Sequence, residues 1–238
     1  MVPLSLFLIC LNVFLCAFTD FYCKKTYELS HFPRDDFYGI SVLFEKLKKE
    51  QEVQKVKLLK LKRGISLGFC WSGFQGSTIA LSESFLENFD KKEITFFLLY
   101  AFKSIKSGNL FFLSLLSSFL FIYLKIAFIL SYPLISFRKR DKKQSFLEQM
   151  AFKILSFISK PLFYKLDKNL VLSKKDKREQ AFFLLNLDSF MRFQVHQEIP
   201  LFLSPLFLVK PFLDSINLSP LQPDVKNRIK KLTKTYPP

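Results

Sequence analysis

The run Ser77-Thr78-Ile79-Ala80-Leu81-Ser82-Glu83-Ser84-Phe85-Leu86-Glu87-Asn88-Phe89-Asp90-Lys91-Lys92-Glu93-Ile94 changes its local grammar twice. Ser77 to Leu81 is short, apolar and preceded by glycines, and predicts a strand. Ser82 to Phe89 predicts a short helix, because Ser82 is a good N-cap and Phe85, Leu86 and Phe89 recur at helical spacing. Asp90 followed three residues later by Glu93 has the pattern of a capping box, in which each side chain satisfies the other residue's free backbone N–H. It predicts a second helix, Ile94 to Ser104, and so a strand, a tight link and a sharply started helix.

Upstream, four of the six glycines lie between Gly64 and Gly76, and Lys55 to Lys62 mixes apolar and basic residues at short range, which predicts short strands joined by turns. Gly73-Phe74-Gln75-Gly76 reads as a hairpin turn; it is too short for a phosphate-binding loop and lacks its lysine. Asp36 to Gln54 predicts an amphipathic helix, with Phe37, Ile40, Leu43, Phe44 and Leu47 three and four residues apart. Val2 to Thr19 is almost wholly apolar and is followed by Asp20, Lys24 and Lys25, the pattern of a membrane anchor or a signal peptide. The first ten residues contain no Lys or Arg and only a loose Cys16-Ala17-Phe18-Thr19 follows, which favours an uncleaved anchor over residues 1–19. Leu15 stands where a lipoprotein acceptor at Cys16 would need a small residue.

Downstream, the apolar run Asn109 to Ser136 is interrupted by Lys125 and Pro133, yet Leu110 to Leu130 is long enough to cross a bilayer with Lys125 reaching back to the interface. Arg138, Lys139, Arg140, Lys142 and Lys143 follow, a cluster that favours a cytoplasmic face. Phe146 to Phe163 carries Glu148, Lys153, Lys160 and Pro161, so it is either the second arm of a hairpin or a helix at the interface. Polar Lys165 to Gln180 leads to a helix at Ala181 to Phe193, then to the proline-punctuated stretch Pro200 to Pro223 and a basic tail.

Composition agrees with membrane contact. Half of the 238 residues are hydrophobic, 31 of them Phe, which exceeds what the interior of a globule this size needs. The net charge of +16 draws the rest of the surface toward anionic partners. Lys greatly outnumbers Arg, and the aromatics sit in apolar runs rather than alternating with basic residues, so lipid headgroups fit better than nucleic acid. Cys10, Cys16, Cys23 and Cys70 form no C-x-x-C pair; unpaired thiols are expected, with a Cys23–Cys70 disulfide as the alternative if that part is exported.

The stretch from Gly64 to Asn109 resembles the HtpX-type membrane zinc metallopeptidases, the group that includes the CAAX prenyl endopeptidases. There a glycine-rich strand pair leads to a strand, an acidic-capped turn and the helix bearing H-E-x-x-H, in the order seen here. The resemblance resumes at Phe163-Tyr164-Lys165-Leu166-Asp167, where the family has E-x-x-A-D, and at Leu221-Gln222-Pro223-Asp224-Val225-Lys226-Asn227-Arg228-Ile229, where it has T-H-P-x-x-x-x-R-I. It implies an α+β, mostly helical, gluzincin-type domain over residues 33–238 with a small curled β-layer, interrupted by membrane segments near 109–136 and 146–163.

The resemblance also says where the chemistry should be. Two His one helical turn apart would hold zinc, the Glu between them would activate water, and a later Glu would complete the ligand set. Those positions hold Tyr100, Ala101, Ser104 and Phe163, none of which replaces what the chemistry needs. The accessory Asp becomes Asn109 and the late His becomes Gln222; Asp167 alone matches, and by itself it reads as a helix-surface or capping carboxylate. His31 and His196 are the only histidines and are too far apart in sequence to suggest a ligand pair.

The expectation is therefore an integral membrane pseudopeptidase without a cofactor, binding lipids and either membrane proteins or a partner protease, and not nucleic acid. A remnant peptide-binding edge is expected at Thr78, Ile79, Ala80 and Leu81. The alternatives are an active peptidase with atypical ligands and a structural membrane protein whose basic face docks on lipid.

Overall fold

A two-residue turn organises the sheet. In the computed structural model, strand β3 (Gly68–Gly73) returns as β4 (Gly76–Ser82), with Gly73 paired to Gly76 across the turn. Gly76 has φ of +124°, a conformation closed to side-chain-bearing residues, and a Cβ there would lie 2.5 Å from the Lys55 carbonyl oxygen. The structure describes residues 14, 17–33, 38–62, 67–73, 75–135, 146–170, 174–193, 203, 206–208 and 223–233.

The hairpin joins two earlier strands, β1 (Leu29–His31) and β2 (Val56–Leu61), in a four-stranded sheet ordered β1-β2-β4-β3. β2 pairs parallel with β4 over its full length, and β1 pairs antiparallel with β2 from Leu29↔Leu61 to His31↔Leu59. Both hairpin strands are almost wholly buried. Among the described residues eight helices complete a mostly helical α+β fold: α1 (residues 17–26), α2 (Ile40–Glu50), α3 (Glu83–Asn88), α4 (Lys91–Lys106), α5 (Asn109–Ile135), α6 (Phe146–Leu170), α7 (Lys174–Phe193) and α8 (Val225–Thr233).

The expected helix starts are present. Ser82 Oγ accepts from the Phe85 N–H at 3.1 Å, opening α3. Asp90 and Glu93 exchange hydrogen bonds of 2.7 and 3.0 Å in a complete capping box at α4. The amphipathic helix is shorter than its pattern, starting after Gly39 (φ +63°) and burying Ile40, Phe44 and Leu47. α7 begins at Lys174 rather than Ala181, and Gln180 is already buried before the apolar stretch starts.

α5 lies against β3 and α1. Ser114 Oγ accepts from the Ser72 N–H at 2.8 Å, and Thr19 Oγ1 donates to the Ser114 carbonyl at 3.2 Å and shares a short hydrogen bond with Ser118 Oγ. Asp20 ties α1 to the sheet by accepting from Trp71 Nε1 at 2.9 Å. These small polar residues let helix backbones approach closely.

The opposite face of α5 exposes Phe111, Phe112, Phe119 and Ile126, and α6 exposes Phe157 at 83%. The side chains of α5 are described to Tyr123 and at Ile126. Among the described residues no single helix is long and apolar enough to cross a bilayer, although α4 and Asn109–Tyr123 together, bent by 84°, have the length and composition. Cys23 and Cys70 are separate buried thiols. The cluster Arg138 to Lys143, His196 and Gln222 lie outside the described residues.

Candidate functional site

The capping box fixes where α4 starts and hence which side chains it turns inward. Phe97, Tyr100, Ala101 and Ser104 fall at i, i+3, i+4 and i+7, one face of the helix, and all four are buried. Across from them α6 brings in Phe163, 1% exposed, and β3 brings in Cys70. Leu110 and Leu113 of α5 and Leu206 to Leu208 close a cavity of about 10 Å³ among these residues, room for a single water.

Two charges sit beside the cavity in full burial. Asp167, one helical turn beyond Phe163, is 2% exposed, and Arg228 of α8 is 0% exposed. Arg228 donates from Nε to Asp167 Oδ2 at 2.7 Å, from Nη2 to Oδ1 at 2.5 Å, and from Nη1 to the Leu208 carbonyl at 2.5 Å. Its guanidinium carbon is 5.8 Å from the Tyr100 ring centroid and 5.6 Å from that of Phe163. Gln180 of α7 donates to Asp167 Oδ1 at 3.5 Å, so α6, α7 and α8 all meet at one carboxylate.

This geometry is that of a charge-assisted fork, in which a planar guanidinium meets a carboxylate along two parallel bonds. The paired carboxylate and its hydrogen bonds hold the Arg228 guanidinium above its ordinary range against the opposing effect of burial. Burial dominates at Tyr100 and pushes its phenol well above 10.0, with Arg228 pulling the other way. The phenol stays neutral at physiological pH, and its hydroxyl has no hydrogen-bond partner among the described residues.

The arrangement does not suit zinc. Tyr100 and Ser104 present neutral hydroxyls, Ala101 and Phe163 present hydrocarbon, and a permanent guanidinium stands against the same cavity. No group of three or more His, Cys, Asp or Glu able to hold a metal occurs among the described residues. Among the described residues the cavity lining offers Ser104 no base, being apolar apart from the phenol of Tyr100 and the thiol of Cys70. Burial pushes the Cys70 thiol up to about 12, which leaves it protonated and unreactive.

The structure brings together Tyr100, Ala101, Ser104 and Phe163, the four positions singled out in the sequence, although Phe163 comes from a helix far along the chain. Asn109 is also buried, and its Nδ2 has no partner among the described residues.

Two expectations are corrected. Asp167 is neither a surface nor a capping carboxylate but one half of a buried ion pair, because α6 turns it into the junction with α8. Thr78, Ile79, Ala80 and Leu81 do not form an edge, since β4 is hydrogen-bonded to β2 on one side and to β3 on the other.

The role of Arg228 was missed, although a signal for it exists. Val225, Ile229 and Leu232 form the buried stripe of α8, and Arg228 falls on that stripe. An arginine on an apolar face needs a buried acid to meet it. No family model, curated protein or solved structure matches this chain.

Proposed function

We propose that this chain is a catalytically inactive, membrane-embedded relative of the HtpX-type zinc metallopeptidases, working as a binding protein for membrane proteins or for a partner protease. The observation that carries the reading is the convergence of Tyr100, Ala101, Ser104 and Phe163 on one cavity. By the resemblance these positions correspond to the two His, the Glu and the later Glu of the family. Tyr100, Ala101 and Ser104 share a face of α4 through helical spacing alone, so the part of this convergence that supports the reading is Phe163, which joins them from α6.

The Asp167–Arg228 pair supports the same reading from the other two patches of resemblance, Phe163 to Asp167 and Leu221 to Ile229, which it joins directly. On this reading a former reaction centre becomes a structural junction: neutral hydroxyls and hydrocarbon take the places of the ligands and the base, and a fixed cation stands beside them. Membrane attachment is supported by the aromatic face of α5 and α6, where Phe111, Phe112, Phe119 and Phe157 stand out from the fold. The net charge of +16 favours anionic lipid around it.

The test is reconstruction. The variant carrying Tyr100→His, Ala101→Glu, Ser104→His and Phe163→Glu should gain zinc that the starting protein lacks, measured by elemental analysis of folded, detergent-solubilised protein. A folded variant that takes up no zinc would show that the four positions do not correspond to a ligand set.

A further inference from the structure

β3 is a ruler for the two helices that flank it. Just past the end of α1 the Tyr27 ring meets the Phe69 ring at 5.6 Å. Two turns earlier Asp20 accepts from Trp71, and a Cβ at Gly73 would lie 2.7 Å from that of Asp20. On α5, Leu110 and Leu113 share a cavity with Cys70, and Ser114 accepts from the Ser72 N–H. α5 therefore runs with β3, and α1 runs against it. Both helices pass the β3–β4 turn side by side and stay in contact there, with the Phe18 and Phe121 rings 4.5 Å apart.

The outer faces of this antiparallel pair are aromatic. Phe21 on α1 and Phe111 and Phe119 on α5 are exposed, as is Phe14, whose ring packs 6.5 Å from that of Phe18. Charges gather at one end of the face. Lys25 lays its ammonium over the Phe21 ring at 5.7 Å, and Lys24 pairs with Asp20 at 2.6 Å. On the neighbouring helix Lys106, paired with Glu52 at 3.3 Å, stands just before the 84° bend from which α5 sets out. A lysine folded over an aromatic ring suits the edge of a hydrocarbon layer, where the stem and ring stay apolar and the ammonium reaches water. By the ruler, Lys25 and Lys106 stand at one level, Phe21 and Phe111 follow, and Phe14 and Phe119 lie farthest from the charges.

We propose that α1 and α5 enter one leaflet of a bilayer together, antiparallel, with the membrane surface at the level of Lys25 and Lys106 and with Phe14 and Phe119 deepest in the lipid hydrocarbon. The β3–β4 turn is then the end of the sheet that meets the headgroups. Small hydroxyl residues, Thr19, Ser114 and Ser118, hold the two helices together where lipid gives no hydrophobic drive to do so. At about 1.5 Å of rise per residue Phe119 lies about 12 Å deeper than Phe111, within the roughly 15 Å of hydrocarbon in one leaflet. Membrane attachment itself rests on the reading above; the place of α1 beside α5 and the order of depths go beyond it.

The probe is a vesicle of phosphatidylcholine and phosphatidylglycerol carrying a nitroxide either near the headgroup or near the end of the acyl chain. The full chain is reconstituted with one added tryptophan, and the emission of Trp71 in the parent chain is subtracted. Phe21→Trp and Phe111→Trp should be quenched roughly twofold more strongly by the shallow nitroxide, and Phe14→Trp and Phe119→Trp by the deep one. Phe182→Trp on α7, a position as exposed as Phe21 (62% against 61%), should be quenched by neither. Graded quenching on α5 with none at Phe14→Trp and Phe21→Trp would overturn the place given to α1 and leave membrane attachment standing. Equal depths at the two α1 positions, a reversed order on either helix, strong quenching of Phe182→Trp, or a mature chain that has lost residue 14 would also overturn the proposal. A chain that does not bind the vesicles at all would overturn membrane attachment with it.

Discussion

Replacing Arg228 with Met tests the energetic centre of the fold. The substitution keeps an unbranched apolar stem but removes all three of the side chain's hydrogen bonds, two to Asp167 and one to the Leu208 carbonyl. What remains is a carboxylate 2% exposed, with a long contact from Gln180 as its other hydrogen bond among the described residues. A buried charge that loses its partner costs about 3–5 kcal/mol, far more than an exposed pair would. Chemical denaturation in detergent should therefore show Arg228→Met destabilised by that amount, comparable with the whole stability of many domains.

The companion variant, Asp167→Leu with Arg228→Met, removes both charges and should recover most of the loss, because a well-packed apolar pair can equal a buried ion pair. A loss below about 1 kcal/mol for Arg228→Met, or a double variant no better than the single, would refute the claim that a desolvated pair sits there.

Tyr100→Phe removes a buried hydroxyl that has no partner among the described residues, and should raise stability by about 1 kcal/mol in the same assay. Asp90→Ala breaks the capping box and should cost about 1 kcal/mol, visible as a lower denaturation midpoint. Gly68→Ala places a methyl group 2.9 Å from Leu81 Cδ2 and Phe97 Cζ and should cost about 1–3 kcal/mol. Stability should also fall at alkaline pH. The Cys70 thiol and Tyr100 phenol are held protonated by burial, so the unfolded chain gives up these protons first and stability declines as pH rises from 9.0 toward about 12. The slope should reach about 1.4 kcal/mol per pH unit per group, and a Cys70→Ala/Tyr100→Phe variant should lessen it while leaving the share of Cys23 and Tyr27, which burial also holds protonated.

Local signals in the sequence were followed closely by the chain. Asp90 with Glu93, Ser82 before Phe85, and Gly73 with Gly76 each specify their geometry through bonds or dihedrals a few residues long. What could not be read locally was decided by pairing over distance. Thr78 to Leu81 read correctly as a strand, but only the sheet order reveals that β2 and β3 flank it on both sides. Asp167 looked like a surface carboxylate because its partner lies sixty-one residues further on.

The four positions around the cavity were legible through the resemblance, whereas the reason for the arginine among them was visible only in the stripe of Val225, Arg228, Ile229 and Leu232.

Elemental analysis for zinc in the purified, folded, detergent-solubilised chain tests the central claim most directly, with an active metallopeptidase of the resembled type as control. The account predicts that the control carries zinc and that this chain carries none above the buffer. Zinc near one ion per chain, retained through dialysis, would contradict it, for the cavity offers such an ion only neutral hydroxyls, hydrocarbon and the single, protonated thiol of Cys70.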